Sequence, residues 1–378
     1  MRLSYLLIAI IVLTGFSACF GGTPARGRGW SAPAATEQQV YVNTPEGKLA
    51  ALNLSARSRG LIFPGEGEWS FPPGQKAKLG SLFATPSVSN GVVYIASLEG
   101  RVYALDAAMG TEKWKEPHKV VGDIQASPLV AKGKVFVAAN NKVFAIEALD
   151  GRTGWTQPFV ASGRIWAKPA ADEVETTLFF GTLDKDFYAL DTATGSLKWT
   201  FKAGGAILTT PVLHKGKIYF GAFDGNLYAL DPASRQSGLA FPAQGEWVFN
   251  ATDWIWSGPV REKDTLYFAT MRGKVFAVDA GSGRPVWPGP FEVSSKFRSK
   301  PVVYKDNLII ASEEGRIYSL NLADGQMKWA SPSSLGAAIL ADLAISADTV
   351  YIYTQGHTLY ALDADTGMQR WGYSVSTK

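Results

Sequence analysis

Hydrophobic and polar positions alternate in short runs along nearly the whole chain. Stretches such as "VVYIAS" (92–97), "KIYFGA" (217–222) and "TLYFAT" (265–270) alternate and are β-branched, which predicts half-buried strands. A second run lies ahead of each and carries a proline: "WSAPAA", "FATPSV", "QASPLV", "WAKPAA", "LTTPVL", "WSGPVR" and "RSKPVV". In the eighth case, "LADLAI", Leu343 takes the proline position. Each pair of runs is followed by a polar turn that ends at a tryptophan.

That turn makes the repeat explicit. "YALDTATGSLKW" (188–199) and "YALDADTGMQRW" (360–371) are its clearest copies. "YALDAAMGTEKW", "FAVDAGSGRPVW", "YSLNLADGQMKW" and the weaker "FAIEALDGRTGW" follow the same rule. In these six an acidic or amide residue lies 8 before the tryptophan, and a glycine lies 4 after that residue. Two longer copies, "AALNLSARSRGLIFPGEGEW" and "YALDPASRQSGLAFPAQGEW", stretch the first spacing to 16 and put Arg57 and Arg235 where the glycine stands. Eight copies result, with Trp69, Trp114, Trp155, Trp199, Trp247, Trp287, Trp329 and Trp371 spaced by 40 to 48 residues.

Four strands per copy fit this spacing. Proline needs a strand with a free edge, so its run is the innermost strand, A, and the tryptophan falls on the outermost, D. Eight four-stranded antiparallel units predict an all-β fold, an eight-bladed β-propeller over residues 30–378. The Asp starts the C–D turn, the glycine supplies a positive φ, and the tryptophan wedges between blades. Its regular recurrence assigns it to architecture.

The "YALD-x-x-TG-x-x-x-W" pattern resembles the PQQ-type propeller repeat, over about residues 30–377. Two branches of that family matter. For the quinoprotein alcohol dehydrogenases, the resemblance implies PQQ beside a ring of adjacent cysteines, a calcium or lanthanide ion and a catalytic Asp. This chain has one cysteine, Cys19, and no C-x-x-C-H haem motif, so neither PQQ nor catalysis is expected. For the propeller lipoproteins of the outer-membrane β-barrel assembly machinery, the resemblance implies a non-catalytic scaffold without cofactor, whose partners are envelope proteins.

Composition changes the picture in two ways. The net charge of +4 comes from scattered basic residues, which argues against a nucleic-acid partner. The lone cysteine lies in "LTGFSACFGG", just after the apolar stretch Tyr5–Phe16, which is shorter than a bilayer span. Phe16-Ser17-Ala18-Cys19 resembles a bacterial lipobox, with Phe16 in the place of the usual Leu. Residues 1–18 then form a lipoprotein signal peptide, Cys19 takes the lipid, and residues 19–29 form a flexible tether to an extracytoplasmic, membrane-anchored domain. The competing reading is an ordinary signal, or an uncleaved anchor, with an incidental cysteine.

No enzymatic motif emerges. His118, His214 and His357 fall in three different blades without a spaced metal partner, so no metal is expected. Two features exceed the repeat. The residue three before the A-strand proline varies around the ring: Trp30, Phe83, Gln125, Trp166, Leu208, Trp256, Arg298 and Leu340. The residue between stays small, and Lys168, Lys300 and Asp342 share the parity of the variable set. Trp30, Trp166, Lys168, Trp256, Arg298, Lys300 and Asp342 thus either shape a channel mouth, an aromatic and basic funnel for a small ligand, or fill space near the axis. The other feature is the 8-residue insertion shared by copies 1 and 5. Its Arg57, Arg59, Phe63, Arg235 and Phe241 either contact a partner or record duplication of a four-blade half.

Overall fold

A computed structural model describes residues 31–74, 77–329 and 333–375. These residues form eight four-stranded antiparallel sheets, each built from consecutive strands in the order A-B-C-D. The protein is an eight-bladed β-propeller. Blades 1 to 8 span residues 34–71, 87–119, 129–160, 170–202, 212–250, 260–292, 302–334 and 344–374. One short helix, α1 (Leu54–Ser58), sits in the long C–D connection of blade 1. Asn53 caps it by accepting from the Ala56 N–H at 3.1 Å. Among the described residues, no helix is long and apolar enough to cross a membrane.

The proline immediately precedes strand A instead of lying within it: Pro86 before Ser87–Ser89, Pro211 before Val212–His214, and Leu343 before Ala344–Ser346. Its missing N–H therefore costs no ladder bond. Strands B and C are buried on both faces, as Phe179, Phe180, Phe187 and Phe220 show at 0–1% exposure. Each blade's aromatic and branched residues pack against the next blade, giving mixed cores such as Phe187, Trp199 and Phe201 against Ile218, Phe220 and Tyr228.

The tryptophans lie on strand D in only four blades. Trp69, Trp199, Trp247 and Trp371 do, whereas Trp114, Trp155, Trp287 and Trp329 precede a two-residue strand D. The reason is a two-residue insertion after the tryptophan, visible in "WKEPH", "WTQPF", "WPGPF" and "WASPS". Register confirms it: Phe201, two after Trp199, pairs with Phe187, while Phe159, four after Trp155, pairs with the equivalent Val143. Blades 1, 4, 5 and 8 are of one kind and 2, 3, 6 and 7 of the other, so blades 1–4 and 5–8 repeat each other.

Six tryptophans donate the indole N–H to a carbonyl of the following blade, as Trp155 does to Thr192 at 3.0 Å and Trp287 to Leu322 at 2.9 Å. The repeat glycine of that blade lies flat on the indole. A Cβ on Gly195 would meet Trp155 at 2.7 Å, and one on Gly325 would meet Trp287 at the same distance. The glycine is thus required twice, for its positive φ and for lack of room.

The ring closes without strand exchange. Blade 1 is wholly N-terminal and blade 8 wholly C-terminal, and they meet through Val40, Val42, Ala50 and Leu52 packed on Tyr351, Tyr353 and Leu359.

Candidate functional site

Antiparallel order puts the D–A connections and B–C turns on one rim, and the A–B and C–D turns on the other. The first rim opens into an axial cavity of about 340 Å³. Its wall comes from the segment that enters each strand A, and alternation decides which side chains face it. The residue four before the proline is large, apolar and buried: Leu82, Ile124, Ile165, Ile207, Ile255, Phe297 and Ile339. The small residue two before it is buried as well, as at Ala126, Thr209 and Ser299. The residues three before and one before face the channel.

The outer ring therefore contains Phe83, Gln125, Trp166, Leu208, Trp256, Arg298 and Leu340, and the inner ring contains Lys168, Lys300 and Asp342 with Thr85, Ser127 and Thr210. Trp30 lies outside the described residues. The Arg298 guanidinium sits 5.0 Å from the Trp256 ring and donates from Nε to Glu313 at 3.1 Å. Phe223, from the B–C turn of blade 5, stacks on Trp254 with ring centroids 5.2 Å apart and also touches Trp256. Trp254, Phe223 and Glu313 belong to this rim, and no repeat position marked them in the sequence.

Part of the inner ring is structural. The Thr85 hydroxyl accepts from the Ala32 N–H at 3.0 Å, Ser127 from the Thr85 N–H at 3.0 Å, and the Asp342 carboxylate from the Lys300 N–H at 2.7 Å. Each stitches one blade to the next. An ammonium only donates, so Lys168 and Lys300 cannot serve this way. Lys168 Nζ instead reaches across to the Ser87 hydroxyl, 3.4 Å away.

Burial pushes the Lys168 ammonium below the usual lysine range, and the nearby charge of Lys300 adds to the effect. Burial lowers Lys300 too, opposed by Asp342. The Asp342 carboxyl is pushed up by burial, opposed by the Lys300 N–H and charge. Asp342 is exposed to the channel. Among the described residues, the channel wall offers a single carboxylate and no cysteine, which does not fit a quinone held with a calcium or lanthanide ion. Among the described residues, no group of three or more His, Cys, Asp or Glu side chains is placed to hold a metal. His118 contacts the Gly151 carbonyl at 2.8 Å and His214 the Asp264 carboxylate at 2.6 Å, each reaching the following blade.

The long C–D hairpins of blades 1 and 5 lie on the opposite rim. Arg57 and Arg235, expected among exposed contact residues, are instead buried at 7% and 4% exposure. Arg57 forms a bidentate pair with Glu68, both bonds at 2.7 Å, and Glu68 also accepts from the Gly65 and Asn53 N–H groups. Arg235 pairs in the same way with Glu246, which accepts from Ala243 and Asp231. Each guanidinium lies over an aromatic ring of the preceding blade, Arg57 over Tyr373 at 4.9 Å and Arg235 over Phe201 at 5.2 Å. Phe63 and Phe241 are half-buried on those rings, 5.7 Å from Tyr373 and 5.1 Å from Phe201. Arg59, Leu61, Ile62 and Leu239 remain exposed. Cys19 and the tether lie outside the described residues.

Solved structures of low identity share the fold. BamB from Moraxella catarrhalis is 21% identical with a TM-score of 0.66, covering 88% of this chain and 91% of that one. A europium-containing methanol dehydrogenase is 15% identical with a TM-score of 0.65, covering 92% and 84%. The computationally designed Ika8 protein reaches 0.70 at 14% identity, covering 89% and 96%. A curated relative, the outer membrane protein assembly factor BamB of Xanthomonas campestris pv. campestris, is 32% identical over 101 residues, or 25% of this chain and 22% of that protein's length. The model of the family described as outer membrane protein assembly factor BamB matches residues 64–164, 141–254 and 242–378, so that blades 2 to 8 are covered without a gap. The chain belongs to the BamB family.

Proposed function

We propose that this protein is a membrane-anchored, extracytoplasmic scaffold that takes part in outer-membrane protein assembly and catalyses no reaction. The observation that carries the reading is the family match running from residue 64 to residue 378. The lipobox-like sequence before Cys19 supports an anchor, with residues 1–18 removed as a signal peptide and residues 19–29 as the tether. The partner is a protein of the envelope assembly apparatus. Arg59 and the apolar tips Leu61, Ile62 and Leu239, the last of these on the opposite blade, give that rim exposed apolar surface suited to protein contact.

Affinity purification of the membrane-extracted lipoprotein, followed by identification of what co-purifies, tests this. β-Barrel assembly components should appear with the wild-type protein and not with a fold-intact Cys19→Ala variant, which should also lose incorporation of labelled fatty acid. Equal lipid labelling of both proteins would remove the anchor from the reading. Absence of assembly components from the wild-type preparation would remove the scaffold.

A further inference from the structure

Among the described residues, the inner ring of the axial channel holds two lysines against one carboxylate. Arg298 does not alter this balance, because Glu313 neutralises it at the mouth. Asp342 has a local task in accepting the Lys300 N–H. The lysines have none of that kind. Among the described residues, Lys300 Nζ makes no hydrogen bond, and Lys168 Nζ makes only a long one to Ser87. Burying ammonium groups in a channel wall is unfavourable, and burial lowers the pKa of both lysines, with the charge of Lys300 adding to the effect at Lys168. A propeller does not need them, since Thr, Ser and Gly occupy the same position in other blades. A narrow, low-dielectric channel focuses their field and draws anions toward it.

The wall above the lysines is of different chemistry. Trp166 and Trp256 face the channel there. An anionic head near the lysines would carry its next few carbon atoms against these rings. The cavity of about 340 Å³ admits a small molecule or a single chain end and excludes a folded partner.

We propose that the axial channel binds an aromatic carboxylate, its carboxylate between Lys168 and Lys300 and its ring against Trp166 and Trp256. The carboxylate accepts charge-assisted hydrogen bonds from the two ammonium groups, and the ring is covered by the outer wall. The same chemistry is offered by a free aromatic acid and by the C-terminal residue of a polypeptide ending in an aromatic side chain. The proposal is independent of the scaffold reading, which concerns the opposite rim and the lipid anchor.

Calorimetric titration of the full-length lipoprotein in detergent tests it. The probes are 3-phenylpropionate, its neutral amide, and the tripeptide Gly-Gly-Phe as free acid and as C-terminal amide. At least one free acid should bind, and its amide should bind roughly tenfold to a hundredfold more weakly, the range expected for loss of charged hydrogen bonds. Lys168→Gln with Lys300→Gln should weaken the acid by a similar factor. A bound acid should also quench or shift tryptophan emission. Tighter binding of the tripeptide acid would identify a chain terminus as the source, and tighter binding of phenylpropionate a free acid. Binding of neither acid at millimolar concentration, or equal binding of acid and amide, would overturn the proposal. The acid–amide comparison needs no variant and stands even if the double substitution impairs folding.

Discussion

Two seams of the ring carry the same device in different circumstances. At one, blade 5 follows blade 4 through a short connection, residues 203–211. At the other, blade 8 meets blade 1 and no peptide joins them directly. Both have a long hairpin whose buried Arg–Glu pair leans on the preceding blade, Arg235–Glu246 on Phe201 and Arg57–Glu68 on Tyr373. Had the hairpin arisen only to close the ring, the first copy would be unneeded. Its presence at both seams gives the ring a four-blade period, and the seam where the chain ends meet uses the same device as the seam joined by peptide. The other six seams use the flat glycine on tryptophan instead. At the two hairpin seams, among the described residues, neither Trp199 nor Trp371 makes the indole hydrogen bond that the other six make, and the arginine pair leans on the preceding blade there.

The two seams should therefore fail differently. Glu68→Ala would leave the Arg57 guanidinium buried without its countercharge, at a cost of about 3–5 kcal/mol. Glu246→Ala should cost a similar amount by the same reasoning. Only at the 8–1 seam can the blades separate without pulling on a connecting segment. Native-state hydrogen exchange should accordingly rise throughout blades 1 and 8 in Glu68→Ala, and should stay confined to the hairpin and its neighbours in Glu246→Ala. Replacing both partners, as in Arg57→Met with Glu68→Leu, should restore most of the loss. Identical exchange patterns for the two single variants would show that the link across blades 4 and 5 contributes nothing.

Much of this was legible in the sequence because the repeat is regular. Spacing fixed the number of blades, and the invariant small residue two before each proline marked which of its neighbours turn toward the axis. The buried ion pairs were not read from the sequence, although each hairpin has arginine 11 residues before a glutamate that adjoins the tryptophan. Their long polar sequences suggested solvent. What reverses this is Tyr373 and Phe201 on a neighbouring blade, contacts between residues far apart in the chain at the 8–1 seam. The displacement of four tryptophans from strand D had a local cause, the two inserted residues after each, which alter strand register without altering the motif. The Trp254–Phe223 stack follows no repeat position and depends on two blades meeting at the rim.

The glycine seams can be set against the hairpin seams with one methyl group. Gly195 has φ +75° and no space, its added Cβ meeting Trp155 at 2.7 Å. Gly238, in the blade 5 hairpin, has φ +79° and open surroundings. Both substitutions to alanine carry the left-handed backbone penalty of about 1–2 kcal/mol. Gly195→Ala adds an overpacking cost of about 1–3 kcal/mol, because the indole is fixed by its bond to Thr192. Denaturant midpoints at constant m-value should therefore fall further for Gly195→Ala. An equal fall would mean that the indole moves aside freely and that the flat contact does not hold the seam.

The smallest expected difference separates blades 4 and 8, which are equivalent in the two halves. Arg370 of blade 8 bridges Asp348 and Asp363, donating to Asp348 twice at 2.7 Å and to Asp363 at 2.6 Å. Lys198 stands at the same place in blade 4 and reaches its acidic neighbour, Asp191, only at 3.9 Å. Arg370 holds the Asp348 carboxyl down at about 2, chiefly through the side-chain hydrogen bonds. A lowered carboxyl pKa stabilises the fold above the unfolded value of about 4, and that stabilisation is lost as pH falls toward 2. The groups are partly exposed, so solvent screening keeps the contribution within about 1 kcal/mol. Arg370→Lys replaces a planar fork with a point charge and should make blade 8 resemble blade 4. The Asp348 carboxyl carbon, followed by NMR, should then titrate higher, while the midpoint of unfolding at neutral pH moves little. An unchanged Asp348 titration would show that its depression comes from its own backbone and Thr349, and the two blades would then be electrostatically alike.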